Sequence, residues 1–336
     1  MHALQLRRLT MIKEAGIIGW IVVVGVAVSL LTPTFMNAAN LWNIVIQSSV
    51  VGIMAIGMTL IILTGTGGID LSAGSILGIS SVAMAMAIIP VELYRDTALT
   101  LNLPNDPGVI VWAVVICLVA GALCGLVNGL MIAFVKLPPF IATLAMMTAA
   151  RGVAAYISAG IPTYGLPSRL VWLGQGEIFG FPVPVLIMLV LAAIVHIVLT
   201  RTTFGIALFA LGGNRETARF SGINVKLMLL AVYVLGALFF AIAGIIMSAR
   251  GNQVHPDAGT GYELYAIGAT VIGGTSMLGG RGGVPGAILG AIFMAEVQNA
   301  INLLNIPVAY MKPILGLLII MAVLLDQWQK KHSIGD

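Results

Sequence analysis

The residues able to do chemistry fall into three groups, each set in apolar sequence. The first is Thr64-Gly65-Thr66-Gly67-Gly68-Ile69-Asp70-Leu71-Ser72. A glycine-rich turn ending on hydroxyls can cradle phosphate, but the phosphate loop needs a lysine after its last glycine. Here Ile69 follows the last glycine, and the acid next to it, Asp70, would repel the ligand. A helix start is the better physical reading: Asp70 or Ser72 caps the helix that follows, and Gly68 with its neighbours forms a tight cytoplasmic turn.

The second group lies in a polar segment, 201–226. Within it Asn214-Arg215-Glu216-Thr217-Ala218-Arg219-Phe220-Ser221-Gly222 has a capping Asn at one end and Ser-Gly at the other, which predicts a short helix. Gly213, Asn214, Arg215, Glu216, Ala218, Arg219, Ser221 and Gly222 frame it with small residues and mixed charge. A docking surface for a partner and an ordinary solvated loop fit these residues equally.

The third group comprises polar residues isolated inside apolar runs: Asn43, Gln47, Thr59, Asn128, Thr143, Asn299 and Asn302 are the candidates for lining a translocation pathway. Each taken singly is also explained as a hydrogen bond between neighbouring helices. Arg151 and Glu296 differ, because a charge in hydrocarbon needs a partner or a water-filled cavity, and pairing with each other is one solution. His196 has no acid in register beside it, so an interfacial position is expected rather than a proton relay.

Other chemistries lack their residues. The four histidines (His2, His196, His255, His332) fall in four separate places, which leaves no metal set. Cys117 and Cys124 are seven apart on one helical face and cannot bridge. No G-x-S-x-G motif occurs. No catalytic residue, metal or chain-bound cofactor is therefore expected.

The elements that must position these groups are membrane helices. Charged residues make up 8% of the chain and hydrophobic residues 60%, with a mean hydropathy of +1.08; a soluble domain carries about a quarter charged. Apolar runs predict an all-α polytopic bundle of about ten transmembrane helices, near 16–35, 41–63, 72–91, 108–135, 139–158, 183–200, 227–249, 264–279, 283–303 and 311–327. The run 264–279 is short and glycine-rich, so a full span and a re-entrant segment both fit. Glycines at helical spacing, Gly121, Gly125 and Gly129 and again Gly282, Gly286 and Gly290, predict closely packed faces.

The net charge of +4 comes from scattered basic residues with no nucleic-acid-binding stripe, so it reads as a signal of orientation. With ten spans, one side holds Arg7, Arg8, Lys13, Lys136, Arg201, Arg215, Arg219, Lys226, Arg281, Lys330 and Lys331, and the other Arg95, Arg169, Arg250 and Lys312. Both termini are thus expected inside, with 94–107 outside. The organisation follows: a cytoplasmic segment 1–15, a transmembrane domain 16–327 with a cytoplasmic loop 201–226, and a tail 328–336. The first apolar run is long and further spans follow at once, so it is expected to be an uncleaved helix rather than a signal peptide.

Several ordered motifs carry a resemblance. Gly57-Met58-Thr59-Leu60-Ile61-Ile62-Leu63-Thr64, Gly67-Gly68-Ile69-Asp70-Leu71-Ser72, Pro139-Phe140-Ile141-Ala142-Thr143-Leu144, the stretch Leu211 to Val225, Gly259-Thr260-Gly261-Tyr262-Glu263-Leu264 and Val271-Ile272-Gly273-Gly274-Thr275-Ser276 closely resemble the ribose-type sugar permeases of bacterial ABC importers. The resemblance implies a multi-pass inner-membrane subunit that is not itself an enzyme and moves a monosaccharide or polyol. It further implies a cytoplasmic ABC ATPase that carries ATP and Mg²⁺, a periplasmic sugar-binding protein, and a second permease copy or homologue. On this resemblance the segment around Asn214 and Glu216 couples to the ATPase. An ion-coupled secondary transporter is the alternative, and would need intramembrane acids, for which Glu296 is the clear candidate.

Overall fold

A computed structural model of the chain describes residues 2–65, 67–89 and 105–333. They form helices α1 (His2–Leu31), α2 (Ala38–Leu63), α3 (Ala73–Ile88), α4 (Pro107–Ala133), α5 (Pro139–Ile157), α6 (Ser168–Gln175) and α7 (Val183–Arg201). Helices α8 (Thr203–Gly213), α9 (Arg215–Phe220), α10 (Val225–Gly251), α11 (Tyr262–Ile272), α12 (Val284–Leu303) and α13 (Met311–Ser333) complete the bundle. Strand β1 (Thr163–Tyr164) pairs antiparallel with β4 (Gln253–Val254), and β2 (Glu177–Ile178) forms a small hairpin with β3 (Phe181–Pro182).

Among the described residues six helices, α2, α4, α5, α7, α10 and α12, are long and apolar enough to cross a membrane. Their starts follow from local chemistry. Proline occupies the first turn of α4, α5, α7 and α12, where its missing N–H costs nothing, and Asp106 caps α4 by accepting from the amides of Gly108 and Val109. Helix α2 is central: 83% of its most apolar window is buried, against 28% in α4 and in α5. The outward faces of α4 and α7 expose Val111, Trp112, Val119, Leu189 and Val190, an apolar surface suited to lipid.

The glycine rows mark where backbones meet. A Cβ on Gly125 would stand 2.5 Å from the Tyr233 carbonyl oxygen, so α4 lies directly on α10. Gly286 and Gly290 approach the backbone of Gly273 and Ala269 in the same way, seating α12 on α11.

Two expected elements are corrected. The run 264–279 is not one continuous helix: α11 has 11 residues, a rise of about 16 Å against ~30 Å of hydrocarbon, and the chain continues as irregular backbone from Gly273 to Gly283. The segment 201–226 is not mainly a loop, because apolar α8 occupies Thr203–Gly213 and buries Gly205, Leu208 and Leu211. Of the expected outer segment 94–107, residues 94–104 lie outside the described residues, as does the end of the tail, 334–336.

Candidate functional site

Chain direction gives the bundle two ends. Helices α7 and α10 each run between them: α7 begins at the β2–β3 hairpin and ends at α8, and α10 begins beside α9 and ends at β4. One end carries α9, and toward the other lies a polar cleft.

Helix α9 is fixed by its caps. The Asn214 side chain accepts from the Thr217 amide at 2.9 Å. At the other end Gly222, at φ +84°, donates to Arg219 O and Ile223 donates to Ala218 O, which closes the last carbonyls in a Schellman turn. This closure seats Ala218 against Leu211, Leu229 and Ala133. Gly213, Asn214, Glu216, Arg219, Ser221 and Gly222 are exposed, Arg215 is half-buried, and Ala218 is buried. Thr217 and Phe220, which the sequence reading left out, are exposed as well, Phe220 by 88%.

The 64–72 turn corrects a third expectation. It is not a surface turn: Thr64, Gly68, Asp70 and Ser72 are buried. Ser72 occupies the cap position of α3 but makes no capping bond, and is instead the donor to Asp70, whose Oδ1 accepts from the Ser72 amide at 2.8 Å and from the Ser72 hydroxyl at 2.5 Å. Asn128 on α4 donates to Ser72 Oγ at 2.9 Å and to Asp70 Oδ2 at 3.4 Å. Thr143 on α5 reaches the Ile69 carbonyl at 3.5 Å. This network takes a carboxylate out of water and gives it donors on both oxygens, which is the condition for burying such a group.

A cleft of about 470 Å³ lies where α2, the end of α10 and the loop before α11 meet. Its polar lining comes from Gln47, Arg250, Gln253, His255, Asp257 and Thr260, with Tyr262 beside them. The loop is held from within and from outside. His255 Nδ1 accepts from the Asp257 amide at 3.1 Å, and Thr260 donates to Asp257 O at 2.7 Å. Arg151 Nη1 donates to Pro256 O at 3.0 Å and Ala258 O at 2.7 Å. Amides, a hydroxyl and charges of both signs together can bind a neutral, many-hydroxyl solute through directional hydrogen bonds.

The sequence profile of a family described as branched-chain amino acid transport system / permease component matches residues 40–323. The ribose import permease protein RbsC of Escherichia coli K12 is 39% identical over 320 residues, 94% of each chain. That of Bacillus subtilis 168 is 38% identical over 304 residues, 90% of this chain and 89% of its own. The D-allose transport system permease protein AlsC of Escherichia coli K12 is 33% identical over 306 residues, 91% of this chain and 89% of its own. The chain belongs to this permease family, in its ribose-type branch. No solved structure matches it.

In this permease the expected pathway residues do not form one lining. Gln47 faces the cleft, and Asn43, exposed, stands one helical turn before it. Thr59 turns inward on its own helix, bonded to Ala55 O at 2.7 Å. Asn128 and Thr143 belong to the Asp70 turn. Asn299 exchanges amide hydrogen bonds with Asn40 at 2.8 and 3.0 Å, joining α12 to α2, while Asn302 is exposed. Arg151 and Glu296 do not pair: Arg151 serves the cleft loop, and Glu296 sits against α1 beside Gly25 with Oε2 unpartnered. Most cleft residues lie between two apolar runs, and the sequence signal for them was the polar density from Arg250 to Thr260.

Proposed function

We propose that this permease subunit of an ABC importer passes a monosaccharide of the kind its relatives are named for, ribose or allose, through the cleft bounded by Gln47, Arg250, Gln253, His255, Asp257 and Thr260. The observation that carries this reading is the lining itself. It offers donors and acceptors with opposed charges, which suits a neutral polyhydroxylated solute, and Tyr262 offers a ring to the apolar face of a sugar. A cytoplasmic ABC ATPase that holds ATP and Mg²⁺ docks on α9, a periplasmic sugar-binding protein feeds the opposite end, and a second permease copy or homologue completes the assembly. About ten spans with both termini inside, in a bacterial inner membrane, complete the reading.

An ion-coupled carrier would place an acid at a binding site within the membrane helices. Glu296 faces α1 and is not among the groups lining the cleft, and the acid that does line it, Asp257, is exposed on the loop before α11 rather than set in a membrane helix.

The test is reconstitution of the permease with its ATPase and binding protein in proteoliposomes. ATP-dependent uptake of ribose or allose is the expected result, and hydrolysis is expected to vanish when the ATPase subunit is omitted, because the permease has no phosphate loop. Uptake driven by a proton or sodium gradient without ATP would overturn the reading.

A further inference from the structure

One stretch of backbone, residues 63–65 and 67–78, meets the α9 end at its beginning and the cleft loop at its end. At the first contact Gly280 donates its amide to the Leu63 carbonyl at 3.1 Å. Gly212, two residues before the Asn214 cap, lies so close that a Cβ on it would overlap Leu63 O and Gly280 N. A Cβ on Gly65 would stand 2.8 Å from Leu278 O and 3.0 Å from Gly212 O, and Gly65, Gly279 and Gly280 all have positive φ. Three segments thus touch backbone to backbone with no side chain between them.

The second contact is also backbone on backbone at its centre, with the Glu263 carboxylate and the Arg151 guanidinium beside it. A Cβ on Gly74, in the first turn of α3, would overlap Gly259 O and the Glu263 carboxylate, and one on Gly78 would stand 2.9 Å from Ala258 O. Ala258 and Gly259 line the cleft. Between the two contacts the Asp70 network ties the stretch to Ser72 and to Asn128 on α4. A side chain at an interface can change rotamer and absorb a displacement; a backbone packed on backbone cannot, and passes it on.

We propose that residues 63–65 and 67–78 are a coupling strut, with Gly65, Gly74, Gly212 and Gly259 as positioning residues for transport. Movement of α9 by its partner enters through Gly212 against Leu63 and Gly65. It travels along the turn and the start of α3, and leaves through Gly74 against Gly259 to shift the cleft wall. The strut rests on the reading of α9 as docking element and of the cleft as sugar path.

The experiment uses the assembled transporter in nanodiscs. Gly74→Ala is expected to keep ATPase copurification and basal hydrolysis within about twofold of wild type, while stimulation by sugar-loaded binding protein falls at least fivefold and uptake falls with it. Gly316→Ala, at a position with open space around it, leaves all four unchanged. A merely structural role for Gly74 would lower assembly and basal hydrolysis together. Should Gly74→Ala fail to assemble, amide hydrogen exchange on the wild-type transporter decides. A nonhydrolysable ATP analogue is expected to alter exchange in 208–222, 63–78 and 253–262 together, and to leave 109–118 in α4 unchanged. Retained stimulation in Gly74→Ala, or a response in 208–222 without one in 253–262, overturns the strut. A wild-type assembly with no sugar-dependent stimulation overturns the importer reading and takes the strut with it.

Discussion

Phe220 stands 88% exposed at the end of a six-residue helix whose geometry does not need it. The Asn214 cap and the closing turn at Gly222 hold α9 through backbone groups, so an aromatic ring left in the open there is free to meet another chain. Burying a phenylalanine returns about 1.5–3 kcal/mol, and aromatic anchors beside charges such as Glu216 and Arg219 are frequent centres of binding energy. Phe220→Ala is therefore expected to weaken ATPase binding by about tenfold or more and to leave insertion unchanged, with Glu216→Lys acting in the same direction. Ala218 belongs to the same helix but is 2% exposed, so Ala218→Trp would break its packing on Leu211 and Leu229 and report on folding rather than docking. Wild-type affinity in titrations of both Phe220→Ala and Glu216→Lys with the purified ATPase would remove α9 from the interface.

At the scale of elements, the tight seat of α4 on α10 makes a sharp expectation. Gly125→Leu forces a branched side chain into the Tyr233 carbonyl and Ala237 and should cost about 1–3 kcal/mol, read as a lowered Tm of the detergent-solubilised permease. Gly152→Leu, where nothing stands within 4 Å, should leave Tm unchanged; equal Tm values for the two variants would contradict the packing. Such rows were legible in the sequence because helical spacing alone places Gly121, Gly125 and Gly129 on one face. Span boundaries at Pro107, Pro139 and Val284 were legible through hydrophobic length and proline punctuation. Helix α8 was hidden because it is too short to cross a membrane and lies next to charged residues. The Asp70 turn was recognised as a helix start, but its burial depends on Asn128, Gly212 and Gly280, remote partners that no local pattern announces. The cleft escaped for a related reason: polar residues were sought inside spans, where Gln47 lies, while Arg250 closes the last turn of α10 and Gln253, His255, Asp257 and Thr260 follow it.

For the whole molecule the decisive quantity is direction. Helix α10 has 27 residues and rises about 40 Å, enough to carry the chain from α9 through ~30 Å of hydrocarbon. The β2–β3 hairpin precedes α7, a helix of 19 residues long and apolar enough to cross a membrane that leads to α8 and α9, so Phe179 at the hairpin tip and Thr217 on α9 are expected on opposite faces of the membrane. Both side chains are exposed, Phe179 by 99%, and neither serves a cap through its side chain. On the proposed ten-span assignment eleven Lys and Arg stand on the α9 side against four on the other, and because basic loops are retained inside the α9 side is expected to be cytoplasmic. Cysteines placed singly at these positions, with Cys117 and Cys124 replaced by alanine, provide the measurement. In intact cells an impermeant maleimide is expected to label the Phe179 position and to reach the Thr217 position only after the membrane is opened. Labelling of Thr217→Cys in sealed cells would reverse the orientation, and labelling of both positions would mean that α7 does not cross the membrane.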